Sequence, residues 1–183
     1  MLCCLSLPQL LFAHVEGGNG FMAGLTHPVL GLDHLLAMLS VGILSAQIGG
    51  RAIWTIPATF VGIMLIGGWM GIGAEALSFV EMAIAISVIV LGAAIAFEKK
   101  LPMILTMAFV GFFAFFHGHA HGVEMPSLAH PFMYAGGFLL GTTLIHLVGV
   151  LIGSVFTKTP ERENYLRFAG AFMAGMGLQI LLG

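Results

Sequence analysis

Long apolar runs, separated by short polar or glycine-containing connections, dominate the pattern of the chain. Six of them cover residues 26–49, 53–73, 76–97, 101–121, 131–156 and 164–182. Each comes near the length of about 20 residues with which an α-helix crosses the hydrocarbon core of a bilayer. Strands are not expected, because the runs are continuous and rich in Leu, Ala, Gly and Met. The pattern predicts an all-α integral membrane protein, folded as a compact bundle of six transmembrane helices.

Composition and charge agree with this prediction and exclude other classes of protein. Of the 183 residues, 59% are hydrophobic and 8% are charged, whereas soluble domains are about 25% charged. The six Lys and Arg residues are scattered and form no basic face, which argues against a nucleic-acid partner. The two cysteines are Cys3 and Cys4, so the rest of the chain can hold neither a disulfide nor a thiolate metal site. The expected partner is the lipid bilayer, and oligomerisation is left open.

The segment before the first run resembles a secretory signal. Residues 1–13 are apolar and end in Leu-Phe-Ala, with no positive charge ahead of them. We expect a signal-peptide-like segment with cleavage after Ala13, and an uncleaved hydrophobic tail is the alternative. Residues 14–183 then form a single six-helix transmembrane domain. Cleavage would make His14 the first residue, where an amine beside an imidazole can bind a divalent metal weakly.

Basic residues predict the orientation of the bundle. All six flank the connections that follow the first, third and fifth runs: Arg51, Lys99, Lys100, Lys158, Arg162 and Arg167. The positive-inside rule places these connections in the cytoplasm, so that both termini face outward. An outward N-terminus also agrees with a removed signal peptide.

Glycines recur at a spacing of four within the runs. The pairs are Gly67 and Gly71, Gly118 and Gly122, Gly137 and Gly141, and Gly149 and Gly153. Small residues at this spacing let helices approach closely in lipid. We expect these pairs to mark tight helix contacts and to carry no chemistry.

The first run carries two histidines and the only aspartate of the chain. His27 and His34 are seven positions apart, or two helical turns, so they share a face of one helix, with Asp33 beside them. Pro28 suits the first turn of that helix, with Thr26 or His27 as its cap. Ionisable groups inside a membrane are costly and usually functional, which makes these three polar residues candidate ligands.

The fourth run ends in a second polar cluster, HGHAHGVE, at residues 117–124. His117 and His121 share a helix face, and Glu124 extends it if the helix continues. His119 points elsewhere in a regular helix, although the neighbouring glycines can loosen the turn.

The predicted topology brings both clusters to the outer half of the membrane, because the first run leads inward and the fourth leads outward. Glu81 lies near the same side, His146 lies deeper in the fifth run, and His130 falls in an outer loop. Glu81, His146 and His14 are secondary candidates, which can instead bond neighbouring helices or be ordinary loop residues.

Imidazole nitrogens and carboxylate oxygens predict a site for a divalent first-row ion. Ni²⁺, Co²⁺ and Zn²⁺ all accept this donor set, whereas Mg²⁺ prefers a shell of oxygens. The predicted ligands are His27, Asp33, His34, His117, His119, His121 and Glu124.

At these residues the sequence resembles the HupE/UreJ family of bacterial nickel/cobalt permeases. The matching motifs are HPVLGLDHLLAMLSVG, residues 27–42, and HGHAHGVEMP, residues 117–126. The resemblance extends to the chain length, the six helices and the leading signal segment. It implies uptake of Ni²⁺ or Co²⁺ across the bacterial cytoplasmic membrane for hydrogenase or urease maturation. It also implies a secondary transporter rather than an enzyme, without a catalytic cofactor, and metal handling by the motif residues.

Three other functions stay open from the residues alone. An intramembrane zinc hydrolase of the ceramidase-like kind would hold Zn²⁺ with three His and an Asp. A haem-binding subunit would use His34 and His146 as axial ligands, and a metal sensor would bind an ion without transporting it. The sequence contains no Walker-type motif, so we expect no ATP hydrolysis on this chain.

Overall fold

A computed structural model describes residues 20–75, 77–98, 101–125 and 130–183 of the chain. Within these residues it contains seven α-helices and no β-strand, which confirms the all-α prediction. The helices are α1 (Gly20–Leu30), α2 (Leu32–Ile48), α3 (Ala52–Gly71), α4 (Val80–Ala96), α5 (Met103–Val123), α6 (Pro131–Phe156) and α7 (Pro160–Leu182). The predicted signal segment 1–13, His14, Lys99 and Lys100 lie outside the described residues.

Four helices are long and apolar enough to cross a membrane, namely α3, α5, α6 and α7, with 20 to 26 residues each. Helices α1 and α2 together form a fifth, bent candidate, and α4 is apolar but has only 17 residues. The protein is therefore a multi-pass membrane protein with four to five candidate spans among the described residues. The prediction of six spans with both termini outward stays a prediction.

The first apolar run is not a single helix that begins near Thr26, and this prediction was wrong. α1 and α2 meet at an angle of 81°. Pro28 lies inside α1 rather than in its first turn, and Gly31 is extended, with φ −90° and ψ 115°, as the N-cap of α2. Proline disturbs only the turn that precedes it, whereas the break follows at Gly31, and glycine is a weak helix former that readily takes an extended backbone. Because of this break, α2 begins within the first apolar run, and His34 lies in its first turn.

Four close helix contacts build the bundle: α3 packs along α5, α4 along α7, and α6 along both α1 and α2. At Gly118 a Cβ atom would overlap the Met64 carbonyl oxygen, and at Gly137 it would overlap the Phe21 carbonyl oxygen. All four predicted glycine pairs lie at such contacts, so the packing role predicted for them is confirmed. In lipid this close backbone approach supplies much of the packing between helices.

The basic residues collect at one end of the bundle. The Gln47 side chain donates to the Ile95 carbonyl over 3.4 Å, and Arg167 donates to the Ala96 carbonyl over 3.3 Å. These bonds bring the C-terminal ends of α2 and α4 together with the start of α7. The other described basic residues are Arg51 and Lys158, in the connections from α2 to α3 and from α6 to α7, and Arg162, in the first turn of α7.

Candidate metal centre

Two imidazoles and a carboxylate face one another at the opposite end of the bundle. His27 Nε2 lies 3.0 Å from Glu124 Oε2, and His121 Nδ1 lies 3.7 Å from the same oxygen. One ligand atom from each residue lies within 4.8 Å of the other two. Metal–ligand distances for such donors are about 2.0–2.2 Å, so a small movement lets one ion contact all three. We call these three residues the mouth of the site.

The aromatic wall beside the mouth comes from α6. The ring centroids of Tyr134 and Phe138 lie 5.8 Å and 6.4 Å from that of His27. Phe138 also lies 4.3 Å from the His121 ring. Because α1 packs along α6, these contacts hold the His27 imidazole toward α5.

Glu124 is the most accessible member of the mouth. Its side chain is 47% exposed, compared with 24% for His27 and 3% for His121. The carboxylate lies just beyond the last residue of α5. The imidazoles of His121 and His27 that face it hold the pKa of its carboxyl below the ordinary value. Glu124 therefore offers a negative charge at the point where solvent reaches the site.

His34 lies directly behind the mouth, with its ring centroid 4.1 Å from that of His121. Asp33 Oδ1 lies 2.8 Å from both the backbone nitrogen and Nδ1 of His34. An ionised carboxylate only accepts hydrogen bonds, so Nδ1 carries a proton, and in the neutral imidazole Nε2 then has the lone pair. Within the described part of the chain, buried Nε2 has no hydrogen-bond partner. A carboxylate that orients an imidazole in this way is a common support for a metal ligand.

His117 is held by a different partner, on α4. Its Nε2 lies 2.9 Å from the Ser87 hydroxyl oxygen, which also lies 2.7 Å from the Ile84 carbonyl oxygen. A carbonyl oxygen can only accept, so the hydroxyl donates to Ile84 and Nε2–H donates to Ser87. His117 Nδ1 then keeps its lone pair and, among the described residues, has no partner. As at His34, one ring nitrogen is hydrogen-bonded to a neighbouring side chain and the other has no hydrogen-bond partner among the described residues.

Together these side chains form a histidine row, which we define as His27, His121, His34 and His117 in spatial order. Their successive ring centroids are 4.8, 4.1 and 4.9 Å apart. His117 is completely buried, so the row leads from the half-exposed mouth into the bundle. The prediction that His27 and His34 share one helix face was wrong, because they lie on separate helices on either side of Gly31.

The remaining predicted residues lie outside the row. His119 is buried on another side of α5, where α3 approaches closely enough that a Cβ at Gly71 would overlap its carbonyl oxygen. The glycines of α5 thus serve the contact with α3 and do not turn His119 toward the row. Glu81 is exposed in the first turn of α4, and His130 is the exposed N-cap of α6.

His146 lies deeper and is separated from the row by an aromatic ring. The Phe60 centroid is 5.6 Å from that of His117 and 5.1 Å from that of His146. Both Phe60 and His146 are almost completely buried, at 1% and 2% exposure.

Sequence reasoning did not find Ser87, Tyr134, Phe138 or Phe60. Ser87 had a signal, because a hydroxyl within an apolar helix often bonds a neighbouring helix. The three aromatic residues had none, since aromatic side chains in apolar runs usually belong to ordinary packing.

The chemistry available to the row is coordination by neutral imidazole nitrogens, with carboxylates at its entrance and behind His34. Such donors suit Ni²⁺, Co²⁺ and Zn²⁺. Successive centroids under 5 Å allow an ion to exchange one imidazole for the next without returning to water.

The family described as HupE / UreJ protein matches residues 2–180. A curated relative, Protein HupE from Rhizobium leguminosarum bv. viciae, is 42% identical over 184 residues, covering 100% of this chain and 95% of the relative. No solved structure matches the chain.

Proposed function

The chain belongs to the HupE/UreJ family, and from this premise we propose that it is a permease for divalent transition-metal ions. Ni²⁺ is the proposed substrate, with Co²⁺ as an alternative ion. The histidine row carries the proposal: four imidazoles lie in sequence from the mouth into the bundle, and His34 and His117 each have one nitrogen held and one free. A purely structural cluster has no need of two buried ring nitrogens that lack a hydrogen-bond partner among the described residues.

Entry begins at the mouth in this proposal. The Glu124 carboxylate attracts the hydrated cation, and His27 and His121 replace part of its water shell. His34, oriented by Asp33, then takes the ion, followed by His117. The proposed ligands are thus His27, His34, His117, His121 and Glu124, with Asp33 as the support of His34.

The proposed orientation places the mouth in the periplasm and the basic end of the bundle in the cytoplasm. The chain would then lie in the inner membrane with outward termini, as one domain after a removable signal segment. The membrane potential favours inward cations by about 2.3 kcal/mol per charge per 100 mV, so a divalent ion gains twice that amount. A secondary transporter can use this free energy from the membrane potential without nucleotide hydrolysis. The physiological role we propose is metal supply for hydrogenase or urease maturation.

Uptake into proteoliposomes tests the proposal. Purified protein is reconstituted, an inside-negative potential is imposed, and uptake of Ni²⁺, Co²⁺, Zn²⁺ and Mn²⁺ is measured in parallel. We expect Ni²⁺ accumulation that His121→Ala abolishes, because that ring links the mouth to His34.

His130→Ala is the matched control for this experiment. It removes an exposed imidazole from the N-cap of α6, outside the row, and should leave uptake unchanged. Equal uptake by wild type and His121→Ala would reject the row as the route. Binding of Ni²⁺ without any flux would favour a sensor, and hydrolysis of a lipid amide with tightly held zinc would favour the hydrolase. Family membership does not favour either alternative.

A further inference from the structure

The most deeply placed imidazole of the described residues belongs to His146, and the histidine row does not use it. At a rise of about 1.5 Å per residue, His146 lies about 22 Å along α6 from Pro131. Both of its ring nitrogens are buried, and neither has a hydrogen-bond partner among the residues that the structure describes. A neutral imidazole always carries one N–H, so at least one donor is left unsatisfied. An unsatisfied buried donor destabilises a protein, so a side chain that served packing alone would not be expected to carry one.

A second unsatisfied polar group lies one helical turn away on the same face. Thr142 is completely buried, and its hydroxyl oxygen has no partner within the described chain. The neighbouring Thr143 shows the usual behaviour of threonine in a membrane helix, because its hydroxyl donates to the Leu139 carbonyl over 2.7 Å. Thr142 lacks the corresponding bond. Residues four apart on a helix have adjacent side chains, so the Thr142 oxygen and the His146 ring can contact one ligand.

Phe60 separates this pair from the histidine row. Its ring centroid lies 5.6 Å from that of His117 and 5.1 Å from that of His146. The Phe60 ring therefore neighbours both imidazoles, and an ion that moved from His117 to His146 would pass beside it. A phenyl ring offers no ligand atom, and Phe60 is almost completely buried.

We propose that His146 and Thr142 form a second cation-binding site, which we call the inner station and which the Phe60 ring separates from the histidine row. Its ligand is the same class of ion, a divalent first-row cation, held by one imidazole nitrogen, the threonine hydroxyl and retained water. This proposal rests on the proposed transport function and adds a second ion-binding site to the transport route. Two stations divide the path through the apolar bundle, and each imidazole offsets part of the cost of removing the ion from water.

The test separates binding at the mouth from passage beyond Phe60. In the full-length protein, His146→Ala should keep the Ni²⁺ binding of the histidine row, because the row is intact, and should lose only the binding at the inner station. Uptake into proteoliposomes should fall by about 10–100-fold, the range typical of losing a group that supports a metal site. Thr142→Val should give an intermediate loss. Its control, Thr143→Val, removes a hydroxyl that is already bonded to its own helix and should transport normally.

A donor exchange distinguishes an ion-contacting role from a packing role. In His146→Cys the inner donor becomes a thiolate, which favours soft ions. We expect the ratio of Cd²⁺ to Ni²⁺ uptake to rise several-fold over wild type, whereas a residue that only packs would leave this ratio unchanged. Normal Ni²⁺ uptake by His146→Ala, or an unchanged ratio in His146→Cys, would overturn the inner station while leaving the permease proposal intact. Absence of uptake by the wild type would overturn both.

Discussion

Replacing Asp33 with Asn gives the most specific test of how the row is prepared for an ion. Asp33 Oδ1 accepts two bonds from His34, from Nδ1 and from the backbone nitrogen, each 2.8 Å long. Asn is nearly the same size, so packing is retained. The charge is lost, however, and the new amide group can donate to Nδ1. Donation to Nδ1 would move the imidazole proton to Nε2 and so remove the lone pair of His34 Nε2.

The expected magnitude follows from these two bonds. Hydrogen bonds to charged groups contribute about 1.5–3 kcal/mol, and part of each bond survives in the amide. Changes to a carboxylate behind a metal-binding histidine cost about 10–100-fold in metal affinity, or roughly 1.4–2.8 kcal/mol. Asp33 also lies in the first turn of α2, where a negative charge contributes about 0.3–1 kcal/mol to helix stability. We therefore expect Asp33→Asn to insert and fold, with slightly lower thermal stability and Ni²⁺ affinity reduced by one to two orders of magnitude.

Equilibrium Ni²⁺ binding to the purified protein in detergent measures this change, and thermal unfolding verifies that the protein is folded. Glu75→Gln is the matched control, since it removes one carboxylate charge from an exposed loop position between α3 and α4. The control should bind Ni²⁺ as the wild type does. An unchanged affinity in folded Asp33→Asn would refute the reasoning that Asp33 prepares His34.

Two further predictions concern the support of the row. Gly118→Ala should lower the unfolding temperature, because the added Cβ would overlap the Met64 carbonyl oxygen. Overpacking of this kind costs about 1–3 kcal/mol. Gly62→Ala is the control: its added Cβ would have open space around it, so its unfolding temperature should not fall. Ser87→Ala leaves the buried Nε2–H of His117 without its acceptor, so we expect about 1–3 kcal/mol lower stability in the same measurement, together with weaker Ni²⁺ binding. Unchanged stability and binding in Ser87→Ala would contradict the assigned proton position on His117.

The sequence was informative wherever a property depends on residues close together along the chain. Run lengths predicted helices, and a spacing of four predicted that pairs such as Gly118 and Gly122 lie at helix contacts. The spacing of His117 and His121 predicted their common face on α5. The same reasoning failed at the first run, because helical periodicity cannot report a break whose two sides are both apolar and helical. Gly31 was the local signal, and its effect depended on how α1 and α2 pack on α6.

The sequence by itself determined that this chain forms apolar helices with histidines and carboxylates inside them, since hydrophobicity, helical period and glycine spacing act locally. Only the tertiary structure decided which of those side chains meet. It brought His27 and His34 to His121 from two separate helices, left His119 on another face, and placed Ser87 against His117. It also put Phe60 between His117 and His146. These choices depend on the rotation and depth at which helices distant in sequence pack together, and no local pattern specifies that geometry.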